Sequence, residues 1–134
     1  MEQAIQDVLE QFTRVHDEFT KNWEQAMITA DTSKLEVMAE EYYVTFYNGH
    51  SEKPDFYNRK EAIIGLRESV EELRGSKKRF ENRLIRQRNA DTFVVFYELI
   101  IEKNQHEIAR FFTIEDWKKT NGVWMLSREI AEHI

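Results

Sequence analysis

The 134-residue chain contains no cysteine, which removes disulfide frameworks, thiol nucleophiles and thiolate metal sites and is compatible with a reducing cytoplasm. One proline and four scattered glycines leave no linker composition, low-complexity tract or internal repeat to divide the chain, so one domain over residues 1–134 is expected. No run approaches the roughly 20 apolar residues that span a bilayer. The opening residues Met1 to Asp7 carry acid where a secretory signal carries Lys or Arg. Together these absences predict a soluble, cytoplasmic protein with no membrane partner. Also missing are a Gly-rich phosphate loop, a His pair at metal-ligand spacing, a Gly-x-Ser-x-Gly elbow and an acidic calcium loop. His16, His50, His106 and His133 are far apart in sequence, so no metal and no cofactor are expected.

What is present points to a packed core. Hydrophobic residues make up 41% and aromatics 13%, too many for a disordered chain although 33% of residues are charged. A net charge of −6 argues against nucleic acid or an anionic surface as partner, because such binding neutralises phosphates with Lys and Arg. One basic stretch runs the other way: Arg74, Lys77, Lys78, Arg79, Arg83, Arg86 and Arg88. It reads either as a solvated strand face balanced by neighbouring Glu or as a phosphate or nucleic-acid contact.

Ile5, Val8, Leu9, Phe12, Val15, Phe19, Trp23, Ala26 and Met27 recur at steps of three and four and predict a long first helix. Asp31, Thr32 and Ser33 are N-cap candidates for a short second helix through Leu35 and Met38. Tyr42 to Tyr47 is aromatic and β-branched, ends at Asn48-Gly49 and reads as a strand. After a loop with Pro54, Asn58 and Glu61 resemble a capping box for a third helix whose face is Ile63, Leu66, Val70 and Leu73, ending at Gly75. Arg79 to Arg88, Thr92 to Glu102, Glu107 to Lys118 and Val123 to Ile130 then read as strands. The separators Asn89-Ala90-Asp91, Lys103-Asn104-Gln105 and Thr120-Asn121-Gly122 predict three hairpins and hence an antiparallel meander. The fold class is α+β, a curved antiparallel sheet wrapped around three helices of the N-terminal half. Phe93 to Ile101 is apolar on both alternating faces. Helices can cover one face, and a second subunit packed on the sheet is expected to cover the other, giving a homodimer.

This order of elements resembles the nuclear transport factor 2-like superfamily over nearly the whole chain. The most specific local likeness is Thr113-Ile114-Glu115-Asp116-Trp117-Lys118-Lys119-Thr120-Asn121-Gly122-Val123-Trp124-Met125-Leu126, similar to the family's Trp, Gly-containing turn, Trp and aliphatic ending. Asn58 to Ile63 likewise looks like the family's helix opening. The resemblance implies a cone-shaped α+β barrel with a pocket at its wide end. It further implies binding of a small apolar ligand, with polyketide cyclase, dehydratase or ketosteroid isomerase-like activity, or else a non-catalytic dimerisation or protein-interaction domain; fold alone does not select among these. In the isomerase-like members an acid on the first strand is the base, and Tyr43 to Asn48 contains none.

In such a cone the first helix would present His16, Phe19 and Trp23. His16 reads as a general base or as a helix-boundary histidine with its polar edge in water. Glu98 interrupts the apolar face of Val94, Phe96 and Ile100. If it lies in the pocket it is a desolvated base or a holder of a cationic ligand, with Arg83 or Arg128 as partner; otherwise it belongs to a salt bridge in the sheet or to a polar dimer interface. Glu115 shares a face with Thr113 and Trp117, and Tyr43 and Tyr47 share one with Thr45. These tyrosines, with Tyr97, are phenol donors or core aromatics. A slip of one residue in a strand would exchange the candidates between faces.

Overall fold

The computed structural model describes residues 2–134, and side chains from Asp7 onward, so Met1 and the side chain of Ile5 in the predicted stripe lie outside the described residues. The elements in chain order are α1 (Glu2–Thr29), a 3-10 turn (Ser33–Leu35), β1 (Met38–Tyr47), β2 (Asp55–Asn58), α2 (Arg59–Glu72), β3 (Lys77–Asn89), β4 (Thr92–Lys103), β5 (His106–Thr120) and β6 (Val123–His133).

Two of the three expected helices are α-helices; the short second one is only a single 3-10 turn. The Thr32 side chain makes no cap bond to it and instead donates to Glu36 Oε2 at 2.7 Å, after which the chain enters β1. The expected capping box is present: Asn58 Oδ1 accepts from the Glu61 N–H at 2.9 Å, and Glu61 Oε1 accepts from the Asn58 N–H at 3.1 Å. The predicted loop after Pro54 contains an edge strand, β2, whose four residues are all exposed and so carry no alternation to read.

The six strands lie in the order β2-β1-β6-β5-β4-β3. The meander from β3 to β6 is antiparallel, as its turns predict, and Asn104, Gln105, Asn121 and Gly122 all adopt the positive φ of primed hairpin turns. One pair departs from the antiparallel rule, because β1 runs parallel to β6. The concave face wraps α1. Phe12 is fully buried and stacks on Phe93 at 4.4 Å between ring centroids, with Trp117 and Trp124 edge-on to it, so the narrow end of the cone is filled by aromatic rings.

Two bulges set which side chains enter the cone. On β3 the register slips between Glu81 and Leu84, where Asn82 takes a left-handed φ of 56°. On β6 it slips beside Ser127, so that Leu126 opposes Trp117 while Arg128 opposes Asp116. Each bulge adds one residue and reverses the inward parity beyond it.

Candidate functional site

Beyond Phe19 the cone opens. A cavity of about 570 Å³ lies between the two helices, β1 and β6, walled mainly by Trp23, Leu35, Met38, Val44, Phe46 and Leu66. A deeper chamber of about 250 Å³ reaches β3, β4 and β5 and shares Trp23, Phe46, Ser69 and Glu129 with the first. Tyr42 and Glu129 are polar groups at the base of the larger space; Lys78, Tyr97, Thr113 and Glu115 line the smaller.

Glu115 is 1% exposed and is held by three donors. Its Oε1 accepts from His16 Nε2 at 2.8 Å and Trp117 Nε1 at 2.9 Å, and its Oε2 from the Tyr97 hydroxyl at 2.5 Å. A guanidinium only donates, so the 3.2 Å contact from Arg83 Nη1 to His16 Nδ1 leaves the imidazole proton on Nε2, aimed at Glu115. The same Arg83 nitrogen pairs with Asp17 at 2.7 Å. This network accounts for a polar cluster in an aromatic core: each buried group has a partner. Burial, reinforced by the Glu115 charge, pushes the Tyr97 phenol well above its usual range, so it stays a donor.

Glu129 faces Glu115 across the sheet and accepts from the Tyr42 hydroxyl at 2.9 Å. Burial first, and then the Glu115 charge, push the Glu129 carboxyl up to about 8. Lys78 is 8% exposed and sits with Nζ 3.3 Å from the centroid of the Trp23 ring; burial lowers its amine to about 7. At neutral pH the chamber therefore presents a carboxylic acid and an amine close to their titration points, the setting in which acid–base chemistry is effective.

Of the residues singled out in the sequence, Phe19 and Trp23 line the large cavity and Glu115 the smaller chamber. His16 is fully buried behind Glu115, and Trp117 is packed between Phe12 and Phe19. Arg83 reaches the inside of the cone only because the Asn82 bulge turns it there. Glu98 stands on the outer sheet face, bonded to Arg110 at 3.1 Å and Asn82 at 3.3 Å. Arg128 is also outside, on Asp116 at 2.6 Å and within 3.5 Å of the Tyr43 hydroxyl. Tyr43 stacks on Phe56 on that face, and Tyr47 shares its parity, whereas Tyr42, Val44 and Phe46 point into the cavity. In the basic stretch, Arg79, Arg83 and Arg88 each pair with a carboxylate. Sequence reading missed Tyr42, Lys78 and Glu129. Strict alternation from Trp124 and Leu126 selects Arg128, and only the bulge beside Ser127 substitutes Glu129.

No protein-family model matches the chain, and no curated protein matches it. Solved structures do. LinA superimposes with a TM-score of 0.71 at 12% identity, over 96% of this chain and 90% of that one. The yeast UBP3-associated protein BRE5 gives 0.69 at 13% identity, over 97% and 96%. An NTF2-like protein from Cytophaga hutchinsonii gives 0.62 at 19% identity, over 91% and 98%. The chain has the nuclear transport factor 2-like fold. Among the described residues no helix is long and apolar enough to cross a membrane.

Proposed function

We propose that residues 1–134 form a single domain that binds a small, largely apolar molecule in the cone and works in the cytoplasm as a homodimer. The observation that carries the ligand reading is the cavity of about 570 Å³, apolar in its walls, with the Tyr42–Glu129 pair at its base. A protonated Glu129 offers an O–H donor, so the ligand carries an acceptor such as a carbonyl. An acid that titrates near neutral pH also suits the proton transfers of isomerase, cyclase or dehydratase chemistry. Trp23 borders both chambers, so its fluorescence reports occupancy. Titration with a panel of apolar ketones and lactones is expected to quench it. Gly65 lines the cavity with open space where a side chain would project. Gly65→Leu should therefore weaken binding at least tenfold while leaving the fold intact, and unchanged binding in that variant would overturn the reading.

A specific surface feature supports the homodimer. Leu84, Phe96, Ile114, Ile130, Thr45 and Phe56 are successive cross-strand neighbours and form one row across the whole outer face. Leu84 and Phe56 are 67% and 61% exposed, a large apolar outlay for a sheet left in water. Arg86, Asp116 and Arg128 flank the row on one side, with a net positive charge, and Glu98, Phe112 and Glu132 on the other, with a net negative one. A two-fold axis along the row stacks it on itself and brings each copy's arginines against the other's glutamates. Sedimentation should give a dimer at micromolar concentration and a monomer for Ile114→Arg; a monomeric wild type would refute it.

A further inference from the structure

Lys78 has features that its place in the sheet does not require. All other lysines of the chain are exposed, and Lys78 alone is buried. Among the described residues its amine forms no salt bridge and no hydrogen bond; it rests on the face of the Trp23 indole, and the side chain borders the deeper chamber. Phe80, Leu99 and Ile101 supply apolar walls beside it, and Glu129 and Tyr97 are polar neighbours in the same chamber.

We propose that Lys78 is an imine-forming amine that captures an aldehyde or ketone borne by an apolar molecule entering from the larger cavity. This rests on the ligand-binding reading above and names the ligand's reactive group. The Lys78 nitrogen lone pair adds to the carbonyl carbon as the C=O π bond breaks, and one proton passes from that nitrogen to the carbonyl oxygen to give a neutral carbinolamine. Glu129, as the neutral acid, donates a proton to that hydroxyl; water leaves, the C=N bond forms, and the nitrogen's proton returns to the Glu129 carboxylate. In the net change one carbonyl and the neutral Lys78 amine give one imine and one water, with no oxidant or reductant. Three features favour the step. The amine is desolvated and titrates at about 7, so much of it is nucleophilic at neutral pH. Glu129, which lines the same chamber, is pushed up to about 8, so it is protonated at the same pH. The apolar walls hold back the water that would hydrolyse the imine.

The test uses the whole chain with cinnamaldehyde and a series of straight-chain aldehydes. Binding is followed by Trp quenching, and imines are trapped with sodium borohydride and located by peptide mass mapping. The expected result is one adduct, at Lys78, formed at least tenfold faster than at any exposed lysine. It should rise between pH 6 and pH 8 and be absent in both Lys78→Arg, which keeps the cation on Trp23, and Lys78→Met. Glu129→Gln should slow trapping without abolishing aldehyde binding. Quenching with adducts spread over exposed lysines, and Lys78 unmodified, would overturn the imine while leaving the binding site standing. No quenching and no adduct would overturn both.

Discussion

Glu115 on β5 and Glu129 on β6 are direct cross-strand partners that point into the same cone, yet their surroundings differ. Among the described residues Glu115 accepts from three donors, whereas Glu129 accepts from the Tyr42 hydroxyl alone. Two like charges at this spacing repel, and the carboxyl with fewer donors keeps its proton.

Stability should therefore pass through a minimum near neutral pH. Glu129 titrates at about 8 when folded against an ordinary 4.5, so between those values the folded state holds a proton that the unfolded chain has lost, and stability falls as pH rises. Lys78 is lowered from 10.5 to about 7, so over that range the unfolded chain holds the extra proton and stability rises with pH. Urea unfolding across pH 4 to 11 should show both limbs, each on the order of a few kcal/mol. Glu129→Gln should flatten the acid limb and Lys78→Met the alkaline one.

Glu115→Ala leaves His16 Nε2, Tyr97 Oη and Trp117 Nε1 without their shared acceptor. The expected loss is about 3–5 kcal/mol, as when one partner of a buried polar pair is removed. Glu115→Gln keeps one carbonyl for the Oε1 contacts and offers its amide to the Tyr97 oxygen, so it should cost about 1–2 kcal/mol. Equal losses in the two variants would mean that the network is not what orders this part of the core.

Asn82 holds a left-handed backbone, which a β-branched residue resists. Asn82→Gly should leave thermal stability nearly unchanged, because glycine adopts this φ without strain and only the Glu98 bond is lost. Asn82→Val should cost about 1–2 kcal/mol and disturb the Arg83 contact to His16, visible as a shift in the histidine ring resonances.

Helix α1 was legible because its apolar steps run for many turns, and α2 because Asn58 and Glu61 write a cap that needs no distant partner. The meander was legible from its turn residues. The site was half legible. Phe19, Trp23 and Glu115 follow from unbroken alternation or helical spacing. Glu98 and Arg128 lie on strands that wall the cone, but both stand on the outer sheet face.

By itself the sequence determined the local elements and the order of hairpins, since turn chemistry and side-chain period act over a few residues. Tertiary structure alone decided the parallel pairing of β1 with β6 and the inward turn of Arg83 and Glu129. Those depend on bulges and on strands meeting across more than eighty residues of chain, and a one-residue change of register leaves no mark in the local pattern while exchanging which charge enters the cone.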